Sequence, residues 1–310
     1  MKAAQITKYG GQDAIQLQNN VSVPQMSEGK VLITVHAAAL NPFDWKVREG
    51  YMKDMMPLTL PATVGGDFSG VVTEVGTGVH YKKGDAVYGH SGTYSGGGSV
   101  AEFVVSDPGA LAPKPKSLND AEAAAVPLTA VSAWQAIVEH INLQKGQKVL
   151  IHGGAGGIGS FAIQLAKYLG AHVVATASTE EIAYVKDLGA DEVIDYKHEK
   201  FEEKIHDFDA VFDTVGGDTL VRSFTVLKKG GRLVSMVGQA HPDLEQQHDV
   251  KFIAQASKVT APRLSKISEL IEQGVLTVHV DKVFPLDQAP EALEYLKTGH
   301  PKGKVVVQIR

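Results

Sequence analysis

The chain has no cysteine. That absence excludes disulfides, a cysteine nucleophile and thiolate zinc ligands together. The 12 histidines fall in no His-Glu-x-x-His or other paired spacing, so no metal site is expected. Positive charge is also scarce: 30 Lys and Arg against 35 Asp and Glu leave a net charge of -5. Nothing here resembles the basic footprint of a nucleic-acid binder. No Gly-Lys is followed by Ser or Thr, so a phosphate-binding P-loop is absent. Long apolar runs are missing too. The uncharged stretch 123–138 is interrupted by Pro127 and polar residues and is too short to span a bilayer. Residues 1–11 contain no apolar signal-peptide core. Together these absences predict a soluble cytoplasmic protein that binds neither nucleic acid nor membrane.

What is present is ordinary in amount and specific in order. With 310 residues, 44% of them hydrophobic, the chain is long enough for two domains with real cores. The most informative stretch is Lys148–Ser178. Val149-Leu150-Ile151 is β-branched, apolar and too short for a helix, as a buried parallel strand is. A glycine cluster follows at Gly153, Gly154, Gly156, Gly157 and Gly159. Ile158, Phe161, Ala162, Leu165, Ala166 and Leu169 then recur at helical spacing, Gly170 ends that helix, and His172–Ala177 reads as a second strand. Glycines between a strand and a helix let a pyrophosphate reach backbone N–H groups where the helix dipole favours an anion. Gly159 allows close packing of the helix on the strand. This stretch is expected to bind a dinucleotide, with contacts from Gly154, Ala155, Gly156, Gly157, Ile158 and Gly159.

The choice of dinucleotide turns on the end of the second strand. An NAD site usually places Asp or Glu about 20 residues on, bonded to the ribose 2′-OH. Here that position is Ser178, and the nearest acid is Glu180. A missing carboxylate removes repulsion against a 2′-phosphate, so NADP is expected, although no Lys or Arg stands beside Ser178 in the sequence.

Before this unit the chain is β-rich, with strands expected at Lys30–Ala37, Val71–Val75, Ala86–Tyr88 and Phe103–Val105. The loop Ser91–Ser99, with four glycines and three serines, is expected to be long and mobile and to border a cleft. Gly65–Gly70 reads as a turn between strands. After the unit, strands and helices alternate to about Ala261, the pattern of a doubly wound parallel sheet. The final 49 residues hold two helices and two strands, too little for a third domain. Residues 1–124 and 262–310 are therefore expected to form one domain, and 125–261 the dinucleotide-binding one.

Asn41-Pro42-Phe43-Asp44-Trp45-Lys46-Val47-Arg48-Glu49-Gly50-Tyr51 packs amide, acid, base, aromatic and phenol groups into 11 residues. One account is a capped helix with a solvated face, Asn41 capping and Pro42 at the first position. The other is a cleft wall with Lys46 and Tyr51 facing a cofactor's nicotinamide. Thr129, in Pro127-Leu128-Thr129-Ala130, is either a helix-start residue or a hydroxyl near the cofactor. Tyr196–Lys200 spells the Tyr-x-x-x-Lys of short-chain dehydrogenases, but that family begins with its glycine turn, whereas here 147 residues come first.

Several motifs now stand in order: Asn-Pro-x-Asp at 41–44, Gly-Asp-x-x-Gly-x-Val at 66–72, Lys-Lys-Gly-Asp-x-Val at 82–87, Thr-Ala-x-x-Ala-Trp at 129–134, the 153–159 glycine turn, Gly-Ala-Asp-Glu-Val-Ile-Asp-Tyr at 189–196 and Gly-Lys-Val-Val at 303–306. Across nearly all its length the chain resembles the medium-chain dehydrogenase/reductase superfamily. It looks most like the zinc-free quinone oxidoreductases (zeta-crystallin type) and the enone oxidoreductases. That resemblance implies a Rossmann-type doubly wound sheet plus a β-rich GroES-like catalytic domain. It replaces the zinc relatives' catalytic cysteine near Asn41, and their Gly-His-Glu with Gly65-Gly66-Asp67. It implies that Asn41, Lys46 and Tyr51 line the nicotinamide and substrate pocket, and that Ser178, Thr179 and Tyr196 hold the adenosine phosphate of NADPH. Thr129, Val215, Gly216, Val237, Gly238, Gly303 and Lys304 complete the expected cofactor set.

The activity expected is NADPH-dependent reduction of quinones or α,β-unsaturated carbonyls without a metal, by a homodimer paired through Val250–Ala254. The rival is an NADPH-binding sensor or structural protein with little turnover.

Overall fold

A computed structural model describes residues 1–92, 97–298 and 300–310. The chain divides into two compact units, one of residues 1–128, 259–274 and 278–310, the other of residues 129–258 and 275–277.

The first unit begins with β1 (Ala3–Ile6) and β2 (Ile15–Gln18), an antiparallel pair. Then come β3 (Val31–Leu40), α1 (Pro42–Arg48), β4 (Ala62–Thr63), β5 (Asp67–Val75), β6 (Ala86–His90), β7 (Phe103–Ser106), β8 (Leu111–Pro113) and α2 (Asp120–Ala124). β3 is buried on both faces. Val35, Ala38 and Leu40 join the main core, whereas Ala37 and Ala39 meet Ala124 of α2 and its C-cap Ala125. Small residues on that second face let the helix lie close to the sheet.

The stretch read as a turn at Gly65–Gly70 is different. Gly65 has φ +90, but Asp67–Gly70 already belongs to β5. Gly70 is small because a Cβ there would lie 2.1 Å from the Thr34 carbonyl oxygen of the neighbouring β3. The glycine serves strand approach, a use that local turn statistics cannot separate from a turn. Part of the loop expected at Ser91–Ser99, namely 93–96, lies outside the described residues.

Within α3 (Pro127–Trp134) the chain enters the second unit. Its elements are β9 (Lys148–Ile151), α4 (Gly157–Tyr168), β10 (His172–Ala177), α5 (Ile182–Asp187), β11 (Glu192–Asp195), α6 (Phe201–Lys204), β12 (Phe208–Asp213), α7 (Gly217–Ser223), β13 (Leu227–Ser235), α8 (Pro242–His248) and β14 (Lys251–Ala254). The six strands are parallel, in the order β11-β10-β9-β12-β13-β14. This is the dinucleotide-binding order, with a reversal of direction between β9 and β12 that opens a crevice at the carboxyl ends. Leu150, Val174, Val211, Leu233 and Phe252 carry the core across it.

The chain then returns to the first unit with α9 (Ala261–Glu272), β15 (Val280–Pro285), α10 (Ala289–Thr298) and β16 (Lys304–Gln308). Tyr88 of β6 donates to the Leu264 carbonyl at 2.8 Å and fixes α9. β16 lies between β15 and β3 in a seven-stranded sheet whose path runs β15-β16-β3-β5-β6-β8, with β7 also on β3. Gln164 of α4 holds Thr277, accepting its N–H at 2.8 Å, which places the short 275–277 segment with the second unit. No described helix is long and apolar enough to cross a membrane.

Candidate functional site

In the second unit the β9 strand ends in Ile151 and His152, and Gly153 turns the chain with φ +70. A Cβ on Gly159 would stand 2.1 Å from the Gly153 carbonyl oxygen, so the first turn of α4 can lie on the strand end only because Gly159 is bare. Gly156 is the N-cap in an extended conformation, and a Cβ there would meet nothing nearer than 3.5 Å. The space above it is open. Gly156, Gly157 and Ile158 remain partly exposed between buried neighbours. The Gly156 N–H turns back to the Gly153 carbonyl at 3.1 Å, whereas the N–H groups of Gly157 and Ile158 begin the helix, unobstructed by side chains, and fit a pyrophosphate.

His152 supports this turn from below. Ser223 donates to the Thr219 carbonyl at 2.6 Å, so at 3.0 Å it accepts from His152 Nε2–H. On the other side Thr176 Oγ1 accepts from the Gly153 N–H at 3.2 Å and donates to His152 Nδ1 at 3.1 Å. The ring is therefore the neutral Nε2–H tautomer. Burial pushes its pKa down to about 4.

Two further loops follow β12 and β13. Asp213, fully buried, accepts from the Val215 and Gly216 N–H groups at 2.9 and 3.0 Å. Its other oxygen accepts from the Ser235 hydroxyl at 2.8 Å, and Ser235 in turn accepts from Val237 and Gly238 N–H at 3.3 and 2.9 Å. One carboxylate thus ties both loops. Val215 and Val237 are left half exposed, an apolar pair at the carboxyl edge of the sheet. The four positions 215, 216, 237 and 238 of the expected cofactor set are brought together here. Thr129 is buried on α3.

The end of β10 is more acidic than the sequence suggests. Ser178 is buried and forms a capping box with Glu181, whose carboxylate accepts the Ser178 N–H at 2.9 Å. Thr179 donates to Asp195 at 2.5 Å, and Tyr196 stands half exposed just beyond β11. A cation missing from the local sequence arrives through β11: Lys197 reaches Glu180 at 2.8 Å. That ammonium, with backbone and Ser178 contacts, lowers the Glu180 pKa to about 2.

In the first unit Asn41 ends β3 and caps α1, with Asp44 accepting its backbone N–H at 2.6 Å. Lys46 and Tyr51 gather on Trp45, the ammonium 5.6 Å above the ring and the phenol edge-on at 6.0 Å. Tyr51 is 69% exposed. The Asn41 carboxamide turns inward. Pairing of Val305 with Leu40, Ala39 with Asp67, and Asp67 with His90 brings four strand ends to one place. Lys304 Nζ donates to the Leu40 carbonyl and to Asn41 Oδ1, each at 2.6 Å, and stands 3.7 Å from Asp67. Asn41 Nδ2 donates to Asp67 Oδ2 at 2.9 Å, and the other Asp67 oxygen meets His90 Nδ1 at 3.0 Å. Burial alone would raise the Asp67 pKa, but His90, Lys304 and Asn41 hold it below the usual carboxylate range. Burial draws the Lys304 ammonium downward, opposed by Asp67 and Asp44. With three oxygens around Nζ, the charged form is the one this pocket accommodates.

Gly303 and Lys304, expected to touch cofactor, have other partners. Gly303 has φ +74, and a Cβ on it would lie 2.3 Å from the His279 carbonyl oxygen. Lys304 is buried, with its ammonium committed to Leu40 and Asn41. Asp213, His152, His90 and Lys197 were not anticipated, and Asp67 was expected only as part of a turn and of the motif that replaces the zinc relatives' Gly-His-Glu. An acid closing the apolar run Ala210–Phe212 was a visible signal; the other four depend on long-range pairing.

A parallel sheet of this order with an open glycine turn, in one chain with a β-rich unit that carries α1, defines a medium-chain dehydrogenase/reductase. Residues 27–116 match the alcohol dehydrogenase GroES-like domain family, and residues 188–307 the family described as zinc-binding dehydrogenase. The 2-methylene-furan-3-one reductase of Solanum lycopersicum is 39% identical over 99% of this chain and 79% of its own. The chloroplastic NADPH-dependent alkenal/one oxidoreductase of Arabidopsis thaliana is 38% identical with the same coverages. Among solved structures, the quinone oxidoreductase of Coxiella burnetii superposes with a TM-score of 0.94 at 35% identity, covering 100% of this chain and 99% of that one. The chain belongs to the quinone and enone oxidoreductase branch of that superfamily, and is an oxidoreductase.

The name of the second matching family raises the question of zinc. No group of three or more His, Asp or Glu residues able to hold a metal occurs among the described residues, and cysteine is absent. The Asp67–His90 contact supplies two donors, yet the Lys304 ammonium stands beside that carboxylate. A cation already in place opposes a second one, and the donor set does not fit zinc.

Proposed function

We propose that this protein is an NADPH-dependent reductase of α,β-unsaturated carbonyls and quinones that works without zinc. The observation carrying the reading is the open, unobstructed helix start at Gly156–Ile158 in a chain whose described residues offer no metal set and which has no cysteine nucleophile. The alkenal/one and quinone oxidoreductases to which it is similar supply the acceptor class.

NADPH, when bound, supplies a hydride. Gly157 and Ile158 would hold its pyrophosphate through backbone N–H groups, with Gly156 leaving the approach open, and Ser178, Thr179 and Tyr196 would hold the adenosine end. The loops at 215–216 and 237–238 orient the rest. For an enone, hydride adds to the β-carbon and negative charge grows on the carbonyl oxygen. Lys46 donates to that oxygen, in the manner of an oxyanion hole. Tyr51, exposed enough to exchange its proton with solvent, delivers a proton to the α-carbon. A quinone takes the hydride and one proton to become the hydroquinone.

The test is NADPH consumption by the purified protein with a panel of enones and quinones, together with elemental analysis. Turnover with no stoichiometric zinc is expected. Tight NADPH binding without turnover of any acceptor would replace this reading with a sensor or structural role.

A further inference from the structure

We propose that Lys304 is a positioning residue for Asn41: its buried ammonium fixes the carboxamide so that only an N–H is left to meet a substrate oxygen. The inference rests on the reductase reading above and deepens it.

The chemistry follows from counting hydrogen-bonding positions. A carboxamide has an oxygen that accepts and a nitrogen with two hydrogens to donate. Asn41 Oδ1 accepts from Lys304 at 2.6 Å, and Nδ2 gives one hydrogen to Asp67 at 2.9 Å. Rotating the group by half a turn would set its N–H₂ against the ammonium and its oxygen against the carboxylate. Both contacts would become repulsive, so two charges decide the orientation. One Nδ2 hydrogen remains. The same two charges polarise the amide and strengthen that donor.

The placement makes little sense as a stability device. Lys304 and Asn41 are 3% and 5% exposed and Asp67 is fully buried. A buried ion pair seldom stabilises more than apolar residues of similar volume would, because both ions lose their hydration. What the ammonium supplies that a methionine would not is direction. It arrives at the start of β16, opposite the end of β3, so the sheet itself holds the charge in position.

The experiment is a double-mutant cycle on turnover of an enone. Lys304→Met should lower kcat about 10- to 100-fold, the scale of one lost donor, with KM for the enone and Kd for NADPH within about threefold. In an Asn41→Ala background the same substitution should change kcat by less than about threefold, because its target is gone. An undiminished effect in that background means that Lys304 supports the fold generally, and overturns the proposal. Should Lys304→Met fail to fold, the cycle is run with Asp67→Asn in every arm, which removes the uncompensated buried carboxylate. Wild-type turnover is measured first. If it is absent the reductase reading falls, and the assignment is decided by exchange of the Asn41 side-chain amide hydrogens with water, followed by NMR. Exchange no faster in Lys304→Met than in the wild type overturns it.

Discussion

Lys46 is the residue on which the enone chemistry leans. Its ammonium lies over Trp45, where Lys297 also stands at 5.7 Å, so removing one cation leaves the ring with another. A cation–π contact of this kind is worth about 0.5–1 kcal/mol when exposed, less than the roughly 1.4 kcal/mol of a tenfold rate change. Lys46→Met should lower enone turnover about 10- to 1,000-fold while NADPH affinity changes little. Steady-state kinetics check this, and a variant with unchanged kcat removes Lys46 from the chemistry. Ser178 makes the opposite kind of test. Aspartate there joins Glu180, Glu181 and Asp195, already close. Coulomb's law gives about 4 kcal/mol for two charges 4 Å apart near a surface, so Ser178→Asp should shift the NADPH-to-NADH affinity ratio at least about tenfold toward NADH. Lys197→Ala should move the ratio the same way, since it leaves Glu180 uncompensated. Cofactor titrations with both dinucleotides decide, and an unmoved ratio places the 2′-phosphate elsewhere.

At the scale of elements, β9 with its glycine turn carries a built-in pH dependence. His152 is fully buried and neutral, with a pKa near 4 against about 6.5 when unfolded. Between those values the unfolded chain takes up a proton that the folded one refuses, so stability is lost as pH falls from about 6.5 to 4. The size is about 3 kcal/mol. His152→Gln should flatten this part of the profile, whatever it does to stability at neutral pH, and denaturant titrations at several pH values measure it. This unit was also the most legible part of the sequence. An apolar run, a glycine cluster and a 3.6-residue rhythm each point to one structure, and His172–Ala177 is a strand over its whole expected length. β1, β2 and α8 carried no comparable pattern. Gly70 misled because a glycine needed for close strand approach looks like one needed for a turn. In the site, Asn41, Lys46 and Tyr51 could be suspected because they are neighbours in sequence. Lys304 bonds Asn41 across 263 residues, and only the β16–β3 register reveals it.

For the whole molecule, β14 bears on assembly. Among the described residues it ends the second unit's sheet and pairs only with β13, with no strand beside its outer backbone groups. We propose that a second copy pairs there, with half-buried Ile253 adding apolar area. Light scattering should return twice the 33.0 kDa of one chain, and a single-chain mass overturns the pairing. The position of β16 has a different consequence, which concerns the order in which a ribosome delivers the parts. All six strands of the second unit lie between residues 148 and 254, so its sheet can assemble while the remainder is still being translated. The first unit is not so placed. Its sheet has a gap between β15 and β3 until residues 304–308 emerge, although β3 was made more than 260 residues earlier. During that interval residues 37–40 of β3 present an apolar, unpaired flank to solvent or to a chaperone. The Lys304 charge, arriving with the strand that fills the gap, makes the donor geometry of Asn41 a feature the newborn chain acquires only after all six strands of the second unit have been made.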